Sequence, residues 1–463
     1  MIINKRTTIL VLVAICATST NFVLAQRLDK LKKGANISLN IKSNKDSLES
    51  SLFNIGLLSN IYNLKGVGIN VISSVVKNNM NGLQVSGLVS IAGNRANGFQ
   101  FGGLANVAGN SANGLMVSGL INVAGNETKG VQFSLLGNIA GNVANGLAVG
   151  GLMNVAGNEM RGIQIGGLAN ISGKTQKGVA IAGLMNVVAE EMKGGQLSAI
   201  MNISGVNAKG AQISAVSNVG VNLNGMQFSA LSNIAAGQMK GFQMCGAVNI
   251  AVETNRAFQL SGITNIAQSK MNGVQFAPGN YAGEMKGVQI GILNLAEGSA
   301  KGLQIGIINH SKDSTLHKIG LVNITPKTRI QLMAFTGNTS KINLAVRFKN
   351  RRTYSILGIG THYLGLDDKF SGAMFYRTGL HYQLARKLEI SGDLGYYHIE
   401  SFENEDSNTP KRMYSLQGRV NLEYQIRRKF SIFASGGYGV MRYYDQNKFF
   451  DKKPIIALGV ILF

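Results

Sequence analysis

The chain has 463 residues, a formal net charge of +23 and no tryptophan, and 59 of its residues are glycine. So much glycine, with aromatics at only 7%, argues against ordinary globular domains. Its two cysteines, Cys16 and Cys245, exclude a disulfide-framed fold, because Cys16 falls in a segment expected to be removed.

That segment is 1–25, which reads as a secretory signal. Lys5 and Arg6 precede an apolar run from Ile9 to Ile15, and Val23-Leu24-Ala25 provides a cleavage site between Ala25 and Gln26. The run is too short to span a bilayer. Lipid attachment at Cys16 is the alternative, but Ile15 stands where such motifs carry a small residue. Residues 26–50 are basic and polar, with alternation at Ile37, Leu39 and Ile41, and form a linker or a capping strand. Phe53 to Ile61 resembles a degenerate first repeat.

Over 51–325 one unit of sixteen residues recurs. Its opening glycine is Gly66, Gly82, Gly98, Gly114, Gly130 and onward at that spacing to Gly210; later steps shorten, and Ala257 takes the place once. Gln stands two residues after the opening position in Gln84, Gln100, Gln132, Gln164, Gln196 and Gln212. Asn recurs in Asn106, Asn122, Asn138, Asn154, Asn170, Asn186, Asn202, Asn218, Asn233, Asn249 and Asn265. A fixed period of this kind marks a solenoid or array.

Within GFQFGGLANVAGN, Phe99 and Phe101 alternate with Gln100 and Gly102, which predicts a short strand, and Val107 marks a second. Gly103 and its equivalents imply a corner between them. The AGN end and the following Asn-Gly or Lys-Gly are turn chemistry. Two strands and two corners per unit predict a narrow β-solenoid of about 16–17 coils, some 80 Å long at about 4.8 Å per coil. Each Asn then stacks on the next and their amides hydrogen-bond along the axis. A string of hairpins is the competing reading. The direction of Leu88 and its equivalents stays open, because the corner resets the alternation.

The residue before the opening glycine is Asn in several units and basic in Lys129, Arg161, Lys177, Lys193, Lys209 and Lys240. One reading is a ridge for a polyanion such as acidic glycan. The other is a solvated turn, with Glu127, Glu159 and Glu284 diluting the charge.

Residues 326–463 differ. Eleven of the thirteen tyrosines lie here, and eight segments alternate apolar with polar residues at 329–336, 341–349, 353–364, 372–384, 387–400, 412–426, 429–443 and 454–463. Their connections alternate between tight turns such as Arg427-Arg428 and longer polar loops. That is the build of an eight-stranded antiparallel transmembrane β-barrel. Its inward set includes Arg347, Arg377, Glu389, Asp393, Arg419 and Glu423, expected to pair into an ionic plug, so an anchor rather than a pore is predicted. Phe463 resembles the aromatic end that signals assembly of outer-membrane proteins.

His310, His317, His362, His381 and His398 do not converge on this strand map, and no nucleophile, metal or phosphate-loop motif appears. An enzyme, a cofactor, a metal and a nucleic-acid partner are not expected. The repeat, as in GVQFSLLGNIAGN and GIQIGGLANISGK, resembles the bacterial surface-repeat-containing protein family. That resemblance covers the repeats and implies an exported, envelope-associated protein. The expectation is an all-β, non-enzymatic protein anchored in Gram-negative outer-membrane lipid, its repeat rod used for surface binding or adhesion to acidic glycan or host matrix. The alternative is a periplasmic envelope scaffold, since an even strand number sends the repeats to the short-turn side.

Overall fold

The computed structural model describes residues 36–40, 50–363, 370–402, 412–444 and 449–463, and for 36–40 the backbone alone. The predicted signal segment, with Ala25 and Gln26, lies outside the described residues. Among the described residues every element is a strand and there is no helix. Strands up to His317–Ile324 form one parallel solenoid sheet, and the last eight close an antiparallel barrel. By compactness the chain divides after Ile234. The first unit holds coils only; the second holds further coils and the barrel.

In the first unit the coils are regular. Arg95–Gly102 and Ala105–Ala108 make one coil, and Ser111–Ser118 and Ile121–Ala124 make the next. They pair in parallel, with Gly98 on Gly114 and Asn106 on Asn122. Every residue therefore stacks on its sequence equivalent, which is why each column is visible as a repeated letter. Inward positions carry small or amide side chains: Ala96, Gln100, Asn106 and Ala108 are all buried. The outward positions are largely apolar. Leu88, Leu104, Leu120, Leu136, Leu152, Leu168 and Leu184 all stand exposed at the corner after the small residue.

One expectation is corrected. The Asn-Gly or Lys-Gly pair is not a turn; it lies inside the longer strand of each coil, as Asn97-Gly98 does in Arg95–Gly102. The glycine bends that strand with a positive φ, 120° at Gly98 and 121° at Gly146. A Cβ at Gly98 would sit 2.2 Å from the Gly82 carbonyl oxygen one coil below. Where Ala257 replaces the glycine, the positive φ passes to Arg256, at 52°. The corners fall at Gly103-Leu104, where the small residue implied one, and at Gly109-Asn110 in the AGN end, as expected. Ahead of the first full coils, strand Asn36–Asn40 pairs in parallel with Ser50–Ile61.

In the second unit coils run from Ala235 to Ile324, and the chain then enters the barrel. The barrel strands are Arg329–Gly337, Ser340–Lys349, Thr353–Tyr363, Ser371–Ala385, Leu388–Ser401, Arg412–Arg427, Phe430–Tyr443 and Phe449–Leu462. The eighth begins at Phe449 rather than at 454, because its first residues pair with Val440, Met441 and Arg442 across a bulge. Closure comes from pairing of the first strand with the eighth, Leu332 on Leu462 to Gly337 on Ala457. The turns at 350–352, 386–387 and 428–429 share one end with the point of chain entry. The strand ends at Tyr363, Ser371, Ser401, Arg412, Tyr443 and Phe449 lie at the other, with the turn at 338–339.

Candidate functional site

Three places carry polar chemistry: the solenoid interior, its edge and the barrel interior. In the solenoid interior the Asn column forms a hydrogen-bonded line. In the first unit Asn106 Nδ2 donates to Asn122 Oδ1 at 2.9 Å, and the pattern repeats through Asn138, Asn154, Asn170, Asn186, Asn202 and Asn218 to Asn233. In the second unit Asn249 donates to Asn265 at 3.0 Å, and the line continues through Asn280 and Asn294 to Asn309 and Asn323. Most of these amides also donate to backbone, as Asn170 does to Ile181 O at 2.8 Å. All of these side chains are buried.

The Gln column forms a second line of opposite sense. Gln304 donates to Gln289 at 2.8 Å, Gln289 to Gln275 and Gln275 to Gln259 at 2.9 Å, toward the N-terminus. It breaks where the column breaks. Gln164 sits between Ala148 and Ala180 in register, and neither its Oε1 nor its Nε2 has a partner. The second-unit line ends at Gln304 Oε1, which has none either, with Lys318 in register beyond it. The Lys318 ammonium is buried without a hydrogen bond, and burial pushes it down to about 8, opposed by the charge of Asp313.

On the edge, cations of the predicted ridge meet carboxylates two residues earlier in the same coil or in the coil before. Lys129 lies 3.2 Å from Glu127, Glu159 takes both Arg161 and Lys177 at 2.6 Å, and Glu191 takes Lys193 at 2.7 Å and Lys209 at 3.0 Å. The hydrogen bond from Arg161, with Lys177 adding to it, holds the Glu159 carboxyl at about 2, well below its ordinary range. Five cations thus share three carboxylates, so the edge is a ladder of ion pairs with a small positive excess. Lys240 is exposed, with no ion pair among the described residues. Spacing in sequence shows the lysine column and sets Glu127 and Glu159 beside it; Glu191, two residues before Lys193, is the carboxylate that reading missed.

Inside the barrel all six predicted residues are buried. Arg377 grips Asp393 with two bonds, Nε to Oδ1 at 2.8 Å and Nη2 to Oδ2 at 2.6 Å. Arg347 meets Glu423 at 2.9 Å, while Glu389 pairs with Lys349 at 2.6 Å and faces His381 at 3.3 Å. Arg419 donates to Gln417 and lies over the Tyr397 ring, 5.5 Å from its centroid. Tyr354, which donates to Asp393 at 2.6 Å, and Asn421, which donates to it at 2.8 Å, complete the cluster. Lys349, Tyr354 and Asn421 were not among the predicted six, although each obeys the same alternation. The cavities within this packing are about 10 Å³, no more than one water.

The histidines stay apart from one another. His398 Nδ1 meets Tyr444 OH at 2.8 Å and His381 meets Glu389; the side chain of His362 lies outside the described residues. Among the described residues no group of His, Cys, Asp and Glu is placed to hold a metal.

The barrel exterior is apolar. Along Arg412–Arg427 the outward residues between Tyr414 and Tyr424 are Leu416, Gly418, Val420 and Leu422. Tyr414, Tyr438 and Tyr444 lie toward the long-connection end, Tyr382 and Tyr424 toward the turn end. The ten-residue step from Tyr414 to Tyr424 spans about 25 Å of height at about 3.3 Å per residue and a tilt of roughly 40°. That is the apolar band height of an outer-membrane barrel.

No protein-family model and no curated protein matches the chain. Among solved structures the chain is similar to the N-terminal β-barrel domain of Pseudomonas aeruginosa OprF, at 13% identity over 29% of this chain and 93% of that chain, with a TM-score of 0.22. The envelope reading stands on the barrel's own girdled exterior. A solenoid joined to a barrel of the outer-membrane type suggests an envelope protein.

Proposed function

We propose that this is a non-enzymatic envelope scaffold: the barrel anchors it in a Gram-negative outer membrane, and the solenoid stands on the periplasmic side. The observation that carries this reading is the shared end of chain entry and short turns. Asn350, in the first of those turns, donates to Asn323 O of the last coil at 3.0 Å and accepts from Thr328. In outer-membrane barrels the short turns are periplasmic. The filled interior, with Arg377 clamped on Asp393, supports an anchor rather than a channel.

A displayed adhesive rod is the second reading. Its support is the likeness of the repeat to the surface-repeat family and the cation excess along the edge, which would suit an acidic glycan or host matrix. One experiment separates the two. With Cys245→Ser and a new cysteine from Asn110→Cys, a bulky impermeant maleimide is applied to intact and to permeabilised cells. Labelling only after permeabilisation is expected; labelling of intact cells overturns the periplasmic scaffold in favour of display.

A further inference from the structure

The coils nearest the barrel share an outward pattern. One side of a coil runs from exposed Lys286 through half-buried Val288 and Ile290 to exposed Ile292 at the corner. The next coil repeats it with Lys301, Leu303, Ile305 and Ile307 in parallel register. In the last coil Leu321 follows Ile307, since Gly306 pairs with Gly320 and Ile308 with Val322. The side is graded, with cations at one margin and a row of aliphatic corners at the other. That is the amphipathic arrangement of a surface at the boundary between lipid headgroups and acyl chains.

The row does not end in water. Leu321 lies against the outer wall of the barrel, where it lines an apolar groove of about 880 Å³ with Leu332, Leu344, Leu357, Met374 and Tyr376. The Tyr376 hydroxyl donates to Gly320 O at 2.9 Å, capping a carbonyl of the last solenoid strand. Leu332, Leu344 and Met374 point outward, on the face that meets lipid in a membrane barrel. The aliphatic row Ile292–Ile307–Leu321 is therefore continuous with the lipid-facing wall. An aqueous boundary between the two would leave both apolar surfaces wet.

We propose that the last coils of the solenoid rest on the membrane, the row Ile292–Ile307–Leu321 entering the acyl region and Lys286 and Lys301 meeting lipid phosphates. The proposal depends on the barrel being embedded. The solenoid then leaves the barrel along the leaflet at its short-turn end, and phospholipid is its partner there.

The test uses the full chain with Cys16→Ser and Cys245→Ser, carrying one cysteine labelled with an environment-sensitive fluorophore. The protein is reconstituted into vesicles of phosphatidylcholine and phosphatidylglycerol containing nitroxide-labelled lipid. Leu344→Cys reports the barrel wall, Ile292→Cys and Ile307→Cys report the row, and Ser269→Cys reports another exposed corner. Lipid quenching at Ile292 and Ile307 is expected at roughly half or more of that at Leu344, with Ser269 near background. Quenching at Leu344 with Ile292 and Ile307 at the Ser269 level overturns the proposal and leaves the embedded barrel standing. Absence of quenching at Leu344 overturns both. A row shielded from aqueous iodide yet unquenched by lipid, in a protein that light scattering shows to be dimeric, would give this face to a second copy and also overturn it.

Discussion

The solenoid and the barrel both turn polar side chains inward and apolar ones outward, yet they fill their interiors by opposite means. The solenoid uses neutral amides repeated coil after coil; the barrel uses single, unrepeated acid–base pairs. The difference follows from the two kinds of sheet. Parallel pairing in exact repeat register sets each residue on a copy of itself, as Asn154 sits on Asn170. Inside such a stack a group must be complementary to itself, and a primary amide, donor and acceptor at once, meets that condition. A buried column of carboxylates or ammoniums would repel along its length. In the antiparallel barrel unlike residues face each other, so Arg377 finds Asp393. Among the described residues the solenoid's ion pairs lie at its surface, as between Glu159 and Lys177, which belong to different columns, and between Glu297 and Lys312.

The comparison is broken most severely in the barrel. Asp393→Ala leaves Arg377, 1% exposed, without its bidentate partner, and a loss of about 3–5 kcal/mol is expected in urea unfolding followed by heat-modifiable gel mobility. The paired change Arg377→Met with Asp393→Leu recovers most of that loss, because the orphaned charge goes too. Next comes the solenoid backbone. Gly146→Ala places a Cβ 2.0 Å from the Gly130 carbonyl oxygen at a φ of 121°, and a cost on the order of 2–3 kcal/mol is expected. The same measurement on Ala257→Gly gives a much smaller change, since that coil has already moved its bend to Arg256.

Asn170→Ala interrupts the amide line within the first unit. It removes a donor to Asn186 and an acceptor for Asn154, and about 2 kcal/mol of local stability is lost as faster amide hydrogen exchange in the neighbouring coils. The smallest effect is a gain. Lys318→Gln supplies the amide that Gln304 Oε1 lacks, and a gain of about 1 kcal/mol is expected at neutral pH. Its pH dependence follows from the depressed ammonium. Folded Lys318 titrates near 8 against an ordinary value of 10.5, so the wild-type penalty is complete below pH 8. It fades as pH rises toward 10.5, and the advantage of the Gln variant shrinks over that window.

The architecture was legible because in-register stacking writes structure as repeated letters, and because barrel strands alternate over long stretches. The Asn and Gln columns were visible for that reason, as were the inward faces of barrel residues such as Arg347 and Glu423. Other columns were not. The inward position held by Met80, Ala96, Ala112, Thr128 and Met160 conserves burial without conserving a residue type. The bend at the opening glycine reads as a turn in the sequence, because glycine after Asn or Lys serves both purposes and only φ separates them. Partner choice in the barrel depends on diagonal neighbours, Asp393 lying opposite Gly379 and Arg377 opposite Gly395. Alternation along one strand does not reveal such diagonals.

A stack whose coils are complementary to their own copies has no preferred length. Excision of residues 146–161 would set Asn170 on Asn138 and rejoin the amide line without a new orphan. It would also bring Gln164 onto Gln132 in place of Ala148, supplying a partner that its amide now lacks. Duplication of a coil is as easily absorbed. Recombination between units that share these columns can therefore lengthen or shorten the solenoid in whole coils, while the barrel admits no such change without reopening its wall.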